Sequence, residues 1–217
     1  MNLASFIDHT ILKPDCDLSA IQKVCEEALQ YQFAAVCIPP YYVPQASSLL
    51  ANSAVKVATV IGFPMGYATT AAKVEEIKRA IDEGVDELDV VINLCALKNG
   101  EWKYVSSDLD RMITAAHLKD KQVKVIIETG LLQDSEIQKC CDICRELSAD
   151  FVKTSTGYSG EGATVRVVQL IAASLKDSGV KIKASGGIRT REDAQRLIDA
   201  GAQRLGCSAS VSIITSI

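Results

Sequence analysis

The chain has 217 residues, 48% apolar and 23% charged, with a formal net charge of −4 and only 5% aromatic residues. That balance argues against a broad nucleic-acid or anionic-membrane surface, which needs clustered Lys and Arg; a few focused backbone N–H groups could still hold a small anion. With aromatics scarce, Val, Ile, Leu and Ala must fill the interior, which favours layered α/β packing over an aromatic-rich sandwich.

The opening MNLASFIDHT has no basic segment ahead of a long apolar one, so no signal peptide is expected. No run approaches the roughly 20 apolar residues of a membrane span. A cytoplasmic protein is therefore expected. In chain order, the pattern predicts a strand over Phe6–Thr10, a helix over Leu18–Tyr31, a strand over Ala34–Ile38 and a helix over Val43–Ala51. A strand over Val55–Gly62, a helix over Thr70–Glu83, a strand over Glu87–Asn93 and a helix over Val105–Leu118 follow. The second half repeats the pattern, with strands over Val123–Glu128, Phe151–Ser155, Val180–Ser185 and Arg204–Ser208. Between these lie helices over Ser135–Leu147, Thr164–Leu175 and Arg191–Ala200. In Ala71–Ile81 the helical spacing puts Val74, Ile77 and Ile81 on one face and Lys73, Glu76 and Arg79 outside.

Continuously apolar strands joined by helices imply a parallel sheet covered on both faces. Eight of them suit a closed (β/α)8 TIM barrel better than an open sheet, which usually has fewer strands and a Gly-rich turn after the first. Here HTILKPD follows the first strand. Only SVSIITSI remains for the last helix, which must be short. No linker composition marks a second domain, so one barrel over residues 1–217 is expected.

In such a barrel the chemistry sits at the C-terminal strand ends. The ionisable residues that interrupt the apolar strands are Asp8, Asp89, Glu128, Lys153, Lys181 and Lys183. Buried charges need partners or a task, and a salt-bridge network tying strands together is the plain alternative. Lys153 in DFVKTSTG, Lys183 in VKIKASGG and Asp89 in ELDVVIN stand out, each near the middle or end of a strand. Alternation puts Lys181 on the same face as Lys183 but nearer the other end, which suits a structural or rim position. Two lysines in one site have a distinct use. Desolvation and a neighbouring ammonium both disfavour the charged form, leaving a free amine that can form an iminium. Asp89 and a water could move the protons. Gly186–Gly187 after strand seven, Gly206 with Ser208 at strand eight, and Gly157 after strand six suit a phosphate cradle made of backbone N–H groups.

IDHTILKPD, ELDVVIN, VIIETG, FVKTSTG, KIKASGGIRT and RLGCSAS together resemble, in order and across the whole chain, the strand-end motifs of the deoxyribose-phosphate aldolase family. The resemblance implies reversible, metal-free and cofactor-free class I cleavage of 2-deoxy-D-ribose 5-phosphate to D-glyceraldehyde 3-phosphate and acetaldehyde, in deoxyribose phosphate catabolism. It implies Lys153 as the Schiff-base lysine, Lys183 as the lysine that perturbs it, and Asp89 as a proton donor and acceptor working through water. Asp8 would orient the substrate hydroxyls, while Gly157, Gly186, Gly187, Gly206 and Ser208 would bind the phosphate. Family members are often homodimers or homotetramers. Three departures stand out. Ala209 replaces a serine of the cradle, and Tyr158 follows Gly157 where some relatives carry lysine. The chain ends at Ile217, without the terminal tyrosine tail of some members.

The remaining residues favour plainer readings. Cys16, Cys25, Cys37, Cys95, Cys140, Cys141, Cys144 and Cys207 read as reduced, mostly buried thiols rather than a metal or disulfide set. Cys37, at the end of strand two, is a candidate for modification by aldehydes. His9 reads as a hydrogen-bonded structural histidine, His117 as solvated, and Tyr41 and Tyr42 as loop packing. The rival functions are another Schiff-base aldolase on a different phosphosugar or keto acid, a non-catalytic phosphosugar-binding barrel, and an isomerase with Glu128 as base.

Overall fold

The computed structural model describes residues 2–216, and within them eight parallel strands close into a barrel in sequence order. They are β1 (Ile7–Thr10), β2 (Ala35–Ile38), β3 (Lys56–Ile61), β4 (Glu87–Val91), β5 (Gln122–Ile126), β6 (Phe151–Lys153), β7 (Lys181–Ser185) and β8 (Arg204–Cys207). β8 pairs back onto β1, with Gly206 beside Asp8, so no strand edge is left open. The helices are α1 (Leu18–Tyr31), α2 (Val43–Leu50), α3 (Thr70–Asp82), α4 (Leu94–Lys98), α5 (Trp102–His117), α6 (Asp134–Glu146), α7 (Val165–Ser174), α8 (Arg191–Asp199) and α9 (Ser210–Thr215). This is the (β/α)8 barrel expected, with a short last helix; Ile217 of the segment assigned to that helix lies outside the described residues.

Local chemistry explains the boundaries. The Asp17 side chain accepts a hydrogen bond from the Ala20 N–H at 2.9 Å and starts α1, which stops where Gln32 adopts a left-handed φ of 57°. α8 opens on a capping box between Thr190 and Asp193. The strands run one or two residues shorter than their apolar stretches because the flanking residues turn. Phe6 belongs to a 3-10 turn, and Ser155 lies beyond the end of β6. α4 is an extra short helix that apolar periodicity did not indicate, since a single turn is too brief to display a period.

One expectation about α3 is corrected. Lys73 points inward and is fully buried, while Val74 and Ile81 are only half-buried. Its ammonium donates to Asp108 Oδ2 at 2.6 Å, to the Gly66 carbonyl at 3.1 Å and to the Val91 carbonyl at 3.4 Å. Periodicity weighs apolar residues alone, and a charged residue whose partner comes from α5 escapes it. Most of the aliphatic core lies between the strands and the surrounding helices. Inside the barrel, charge takes much of the place of hydrocarbon.

Candidate active site

Strand register assembles the interior charges. Asp89 on β4 neighbours Lys124 on β5, Lys153 on β6 neighbours Lys183 on β7, and Lys183 neighbours Arg204 on β8. The carboxylate of Asp89 is the hub. Its Oδ2 accepts hydrogen bonds from Lys153 Nζ and Lys183 Nζ, both at 2.7 Å, and its Oδ1 accepts one from Lys124 Nζ at 2.8 Å. The amino groups of Lys153 and Lys183 thus share one oxygen, and their nitrogens lie within twice that bond length of each other. Lys183 also donates to Asp8 Oδ2, and Arg204 donates to Asp8 Oδ1 at 2.6 Å. Glu87 closes the lower layer, pairing with Lys124 at 2.6 Å and with Arg204 at 3.2 Å.

The electrostatics follow from these contacts. Burial alone would raise the pKa of Asp89, yet Lys124, Lys153 and Lys183 overcome it and hold the carboxyl well below the usual range. Asp8 is held low in the same way by Lys183, Lys124 and Arg204. Burial would likewise neutralise Lys183, but the charges of Asp8 and Asp89 push its pKa above the ordinary lysine value, so it is an ammonium at neutral pH. Lys124 and Arg204 are raised for the same reason by their carboxylates. Three cations, Lys124, Lys183 and Arg204, therefore meet the three carboxylates Asp8, Glu87 and Asp89 here. Lys153 is the additional lysine of the cluster and the one that reaches the open end.

Above it lies a cleft of about 770 Å³ at the C-terminal ends of the strands. Lys153, Gly157, Gly186, Gly187, Gly206 and Ser208 all line it. Lys183 and Asp89 sit directly beneath, bonded to one another and to Lys153 as described. Asp8 is a layer deeper, completely buried and saturated by Lys183 and Arg204, and does not line the cleft. Its position fits a counter-charge under Lys183 rather than a direct contact to a ligand. Gly186 and Gly187 have φ of 87° and 79°, a conformation that turns the backbone sharply after β7 and that L side chains rarely adopt. A Cβ at Gly206 would lie 2.9 Å from the Ser185 Cβ and 3.3 Å from Cε of Lys183, so that strand end is bare for packing reasons too.

Other polar residues fall into place around this centre. Glu128, at a left-handed φ of 57°, is buried and accepts from the Thr156 N–H at 3.2 Å and from the Thr156 hydroxyl. Burial raises its pKa, opposed by those bonds and by Lys153. His9 Nε2 lies 2.7 Å from Glu27 Oε2 and Nδ1 lies 2.9 Å from Ser210 Oγ, which is the hydrogen-bonded histidine anticipated, although its edge reaches the cleft. His117 is half-exposed and pairs with Asp150 at 2.9 Å instead of being merely solvated. Lys181 is exposed at the opposite end of β7, its nitrogen 5.5 Å from the Phe151 ring centre. Tyr42 donates its hydroxyl to the Cys16 carbonyl at 2.9 Å, whereas Tyr41 stays largely exposed. Cys37 is wholly buried inside the barrel with its sulfur 4.0 Å from Asp89 Oδ2. Burial, then Asp89, push its thiol pKa up, which disfavours the nucleophilic thiolate. The cysteines are free; Cys95 is exposed and Cys16 half-buried. Among the described residues no three His, Cys, Asp or Glu side chains are arranged to hold a metal ion.

Lys124, Glu87 and Arg204 were not singled out from sequence. Lys124 had the available signal, a lone charge between valines in QVKVII, four residues before Glu128 on the same alternating face.

Comparison with known proteins gives this geometry a family. The model described as "DeoC/LacD family aldolase" matches residues 3–209. The chain belongs to that family. It is an aldolase, hence a carbon–carbon lyase. It is similar to deoxyribose-phosphate aldolase of Desulfitobacterium hafniense, with 50% identity over 99% of this chain and 98% of the relative. It is similar also to deoxyribose-phosphate aldolase of Thermococcus gammatolerans, with 48% identity over 99% of this chain and 96% of the relative. Among solved structures, the tetrameric deoxyribose phosphate aldolase of Aeropyrum pernix superposes with a TM-score of 0.93 at 34% identity, covering 99% of this chain and 90% of that one.

Proposed function

We propose that this aldolase cleaves 2-deoxy-D-ribose 5-phosphate reversibly to D-glyceraldehyde 3-phosphate and acetaldehyde through a Schiff base on Lys153. The observation that carries the reading is Lys153 Nζ at the floor of the cleft, sharing one carboxylate oxygen of Asp89 with the ammonium of Lys183. Three carboxylates are balanced by Lys124, Lys183 and Arg204, so the lattice does not need a fourth cation. That leaves Lys153 to work as a free amine, favoured by the ammonium beside it.

The amine attacks the aldehyde carbon of the open-chain sugar, and loss of water gives an iminium. The proton on the C3 hydroxyl then departs, the C2–C3 bond breaks, and its electron pair flows into the iminium to form an enamine. Glyceraldehyde 3-phosphate leaves. Protonation of the enamine at C2 and hydrolysis release acetaldehyde and regenerate the amine. Asp89, kept ionised, accepts and returns protons at the carbinolamine stage, and Lys183 supplies the positive field and a transferable proton. Asp8 holds Lys183 in place. Gly157, Gly186, Gly187, Gly206 and Ser208 receive the phosphate, chiefly through backbone N–H groups.

The reading needs no metal or cofactor, and the whole chain acts as one (β/α)8 domain in cytoplasmic deoxyribose phosphate catabolism. It also has the chain assemble as a homodimer or homotetramer, in line with the Aeropyrum pernix relative. The decisive test is reduction with borohydride in the presence of acetaldehyde, followed by peptide mapping. A two-carbon adduct on Lys153 is expected, with activity that persists in a chelator. Absence of any adduct would leave the carboxylate-base isomerase with Glu128, or a non-catalytic binder, as the better account.

A further inference from the structure

One side of the cleft mouth is apolar, and Tyr158 closes it. The residues involved come from three different loops. On the inner wall of the barrel, Ala35, Cys37, Ala58 and Val60 form a separate cluster of small side chains, covered by Leu12 from the loop after β1 and Phe63 from the loop after β3. This cluster adjoins the reactive nitrogen, since the Cys37 sulfur is 4.0 Å from Asp89 Oδ2 and that oxygen is 2.7 Å from Lys153 Nζ. Tyr158, from the loop after β6, reaches across. Its ring meets Phe63 edge-on, with centroids 5.4 Å apart and planes at 89°. Its hydroxyl donates to the Leu12 carbonyl at 2.7 Å, and its own N–H donates to Thr156 Oγ1 at 3.1 Å. The ring is held at two points and the backbone at a third although the residue is half-exposed, and both Leu12 and Tyr158 line the cleft.

We infer that Tyr158 is a specificity-determining residue: clasped to the Leu12 carbonyl and seated on Phe63, its ring limits the size of the aldehyde that condenses with Lys153. The inference rests on the Schiff-base reading above. Leu12 and Tyr158 line the cleft that Lys153 opens onto, and Phe63 backs the Tyr158 ring, so this wall bounds the space open to the carbon chain of the aldehyde. Aromatic edge-to-face contact fixes the ring's tilt, and the phenol bond fixes its reach. Gly157 and Gly160, both at positive φ, bracket the residue, so without the clasp the segment has backbone freedom to swing away.

The test compares aldehydes in the trapping reaction. The Lys153 amine condenses with the aldehyde, losing water, and borohydride delivers hydride to the iminium carbon to leave a secondary amine. Rates are measured for acetaldehyde, propanal and butanal with the full-length protein and with Tyr158→Phe and Tyr158→Ala. The wild type should discriminate against the longer aldehydes. Tyr158→Ala should raise the propanal-to-acetaldehyde ratio roughly tenfold, the discrimination that one methylene commands in a shaped pocket. Tyr158→Phe, which keeps the ring but loses the clasp, should raise it by a smaller factor. A wild-type ratio in Tyr158→Ala overturns the inference altogether, and a wild-type ratio in Tyr158→Phe alone overturns the role of the clasp. Failure of the wild type to trap acetaldehyde at Lys153 would instead count against the Schiff-base reading. Thermal unfolding of each variant, expected to match the parent at this half-exposed site, guards against misfolding as the cause.

Discussion

The protein buries charge in two places, and they differ in one respect. Between α3 and α5, Lys73 and Asp108 form a sealed pair. The ammonium has three acceptors, and the second oxygen of Asp108 accepts the Thr70 hydroxyl at 2.7 Å. One cation meets one anion, and every ammonium hydrogen has somewhere to go. Inside the barrel, Lys124, Lys183 and Arg204 match three carboxylates, and the additional Lys153 donates to Asp89 alone while its nitrogen opens on the cleft. Removing these groups from water costs several kcal/mol per ion in either place, and neither cluster is evidence of stability in itself. The sealed pair ends in satisfied bonds and anchors a loop. The lattice ends in a lysine with a single acceptor, and that is where chemistry can occur.

The most severe way to break this contrast is Lys153→Leu. Trapping and turnover should fall to background, yet the protein should be no less stable than the parent to urea, because the three carboxylates keep Lys124, Lys183 and Arg204 and the change adds an apolar side chain. A large loss of stability would mean that Lys153 is a structural partner like Lys73. Lys183→Leu comes next. It should cost on the order of 10²- to 10⁴-fold in kcat, the range for losing a positioned proton-transfer group. One ammonium fewer beside Lys153 favours protonation of its amine, so the residual rate should rise toward higher pH than in the parent. An unshifted pH–rate profile would leave Lys183 with a purely structural role. The smaller third effect is on folding. Lys73→Met should lower stability by about 3–5 kcal/mol by stranding Asp108. Borohydride trapping at Lys153 should survive below the unfolding transition. Replacing Asp108 with Leu in the same chain should recover most of the loss.

Much of this contrast could be read in advance from the barrel and little of it from the helices. Asp8, Asp89, Lys153 and Lys183 interrupt runs of β-branched residues, and in a strand that needs to be apolar on both faces each interruption is conspicuous. The eight-fold alternation then says that such interruptions converge. Lys73 is equally buried but sits in AAKVEEIKRA, where lysine is ordinary and the pattern assigns it to solvent. Its partner Asp108 lies 35 positions away, with nothing local to announce it. Arg204 and Glu87 begin their strands, where a charge is normally at the rim; only the strand register reveals that both reach the lattice. Tyr158 was visible as a departure from a family motif, but its bond to Leu12 spans 146 residues and depends on how three loops meet.

The smallest effect expected is read from stability alone, with no activity assay. Asp8 and Asp89 have folded pKa values below those of the unfolded chain, because their lysine and arginine neighbours outweigh burial. Their contribution is therefore present in full above the ordinary aspartate range, near pH 4, and is lost as pH falls toward the lower folded values. Urea midpoints measured from pH 5 downward should decline accordingly. In Lys153→Leu, Asp89 loses one of the three cations that hold it ionised, so its folded pKa moves back toward the unfolded value and the acid-dependent loss becomes shallower. The same slope in Lys153→Leu and in the parent would mean that Lys153 contributes no positive charge to Asp89. The Asp89 oxygen that Lys153 shares with Lys183 would then not couple them in the folded protein, and the placement of the reactive nitrogen would fail with it.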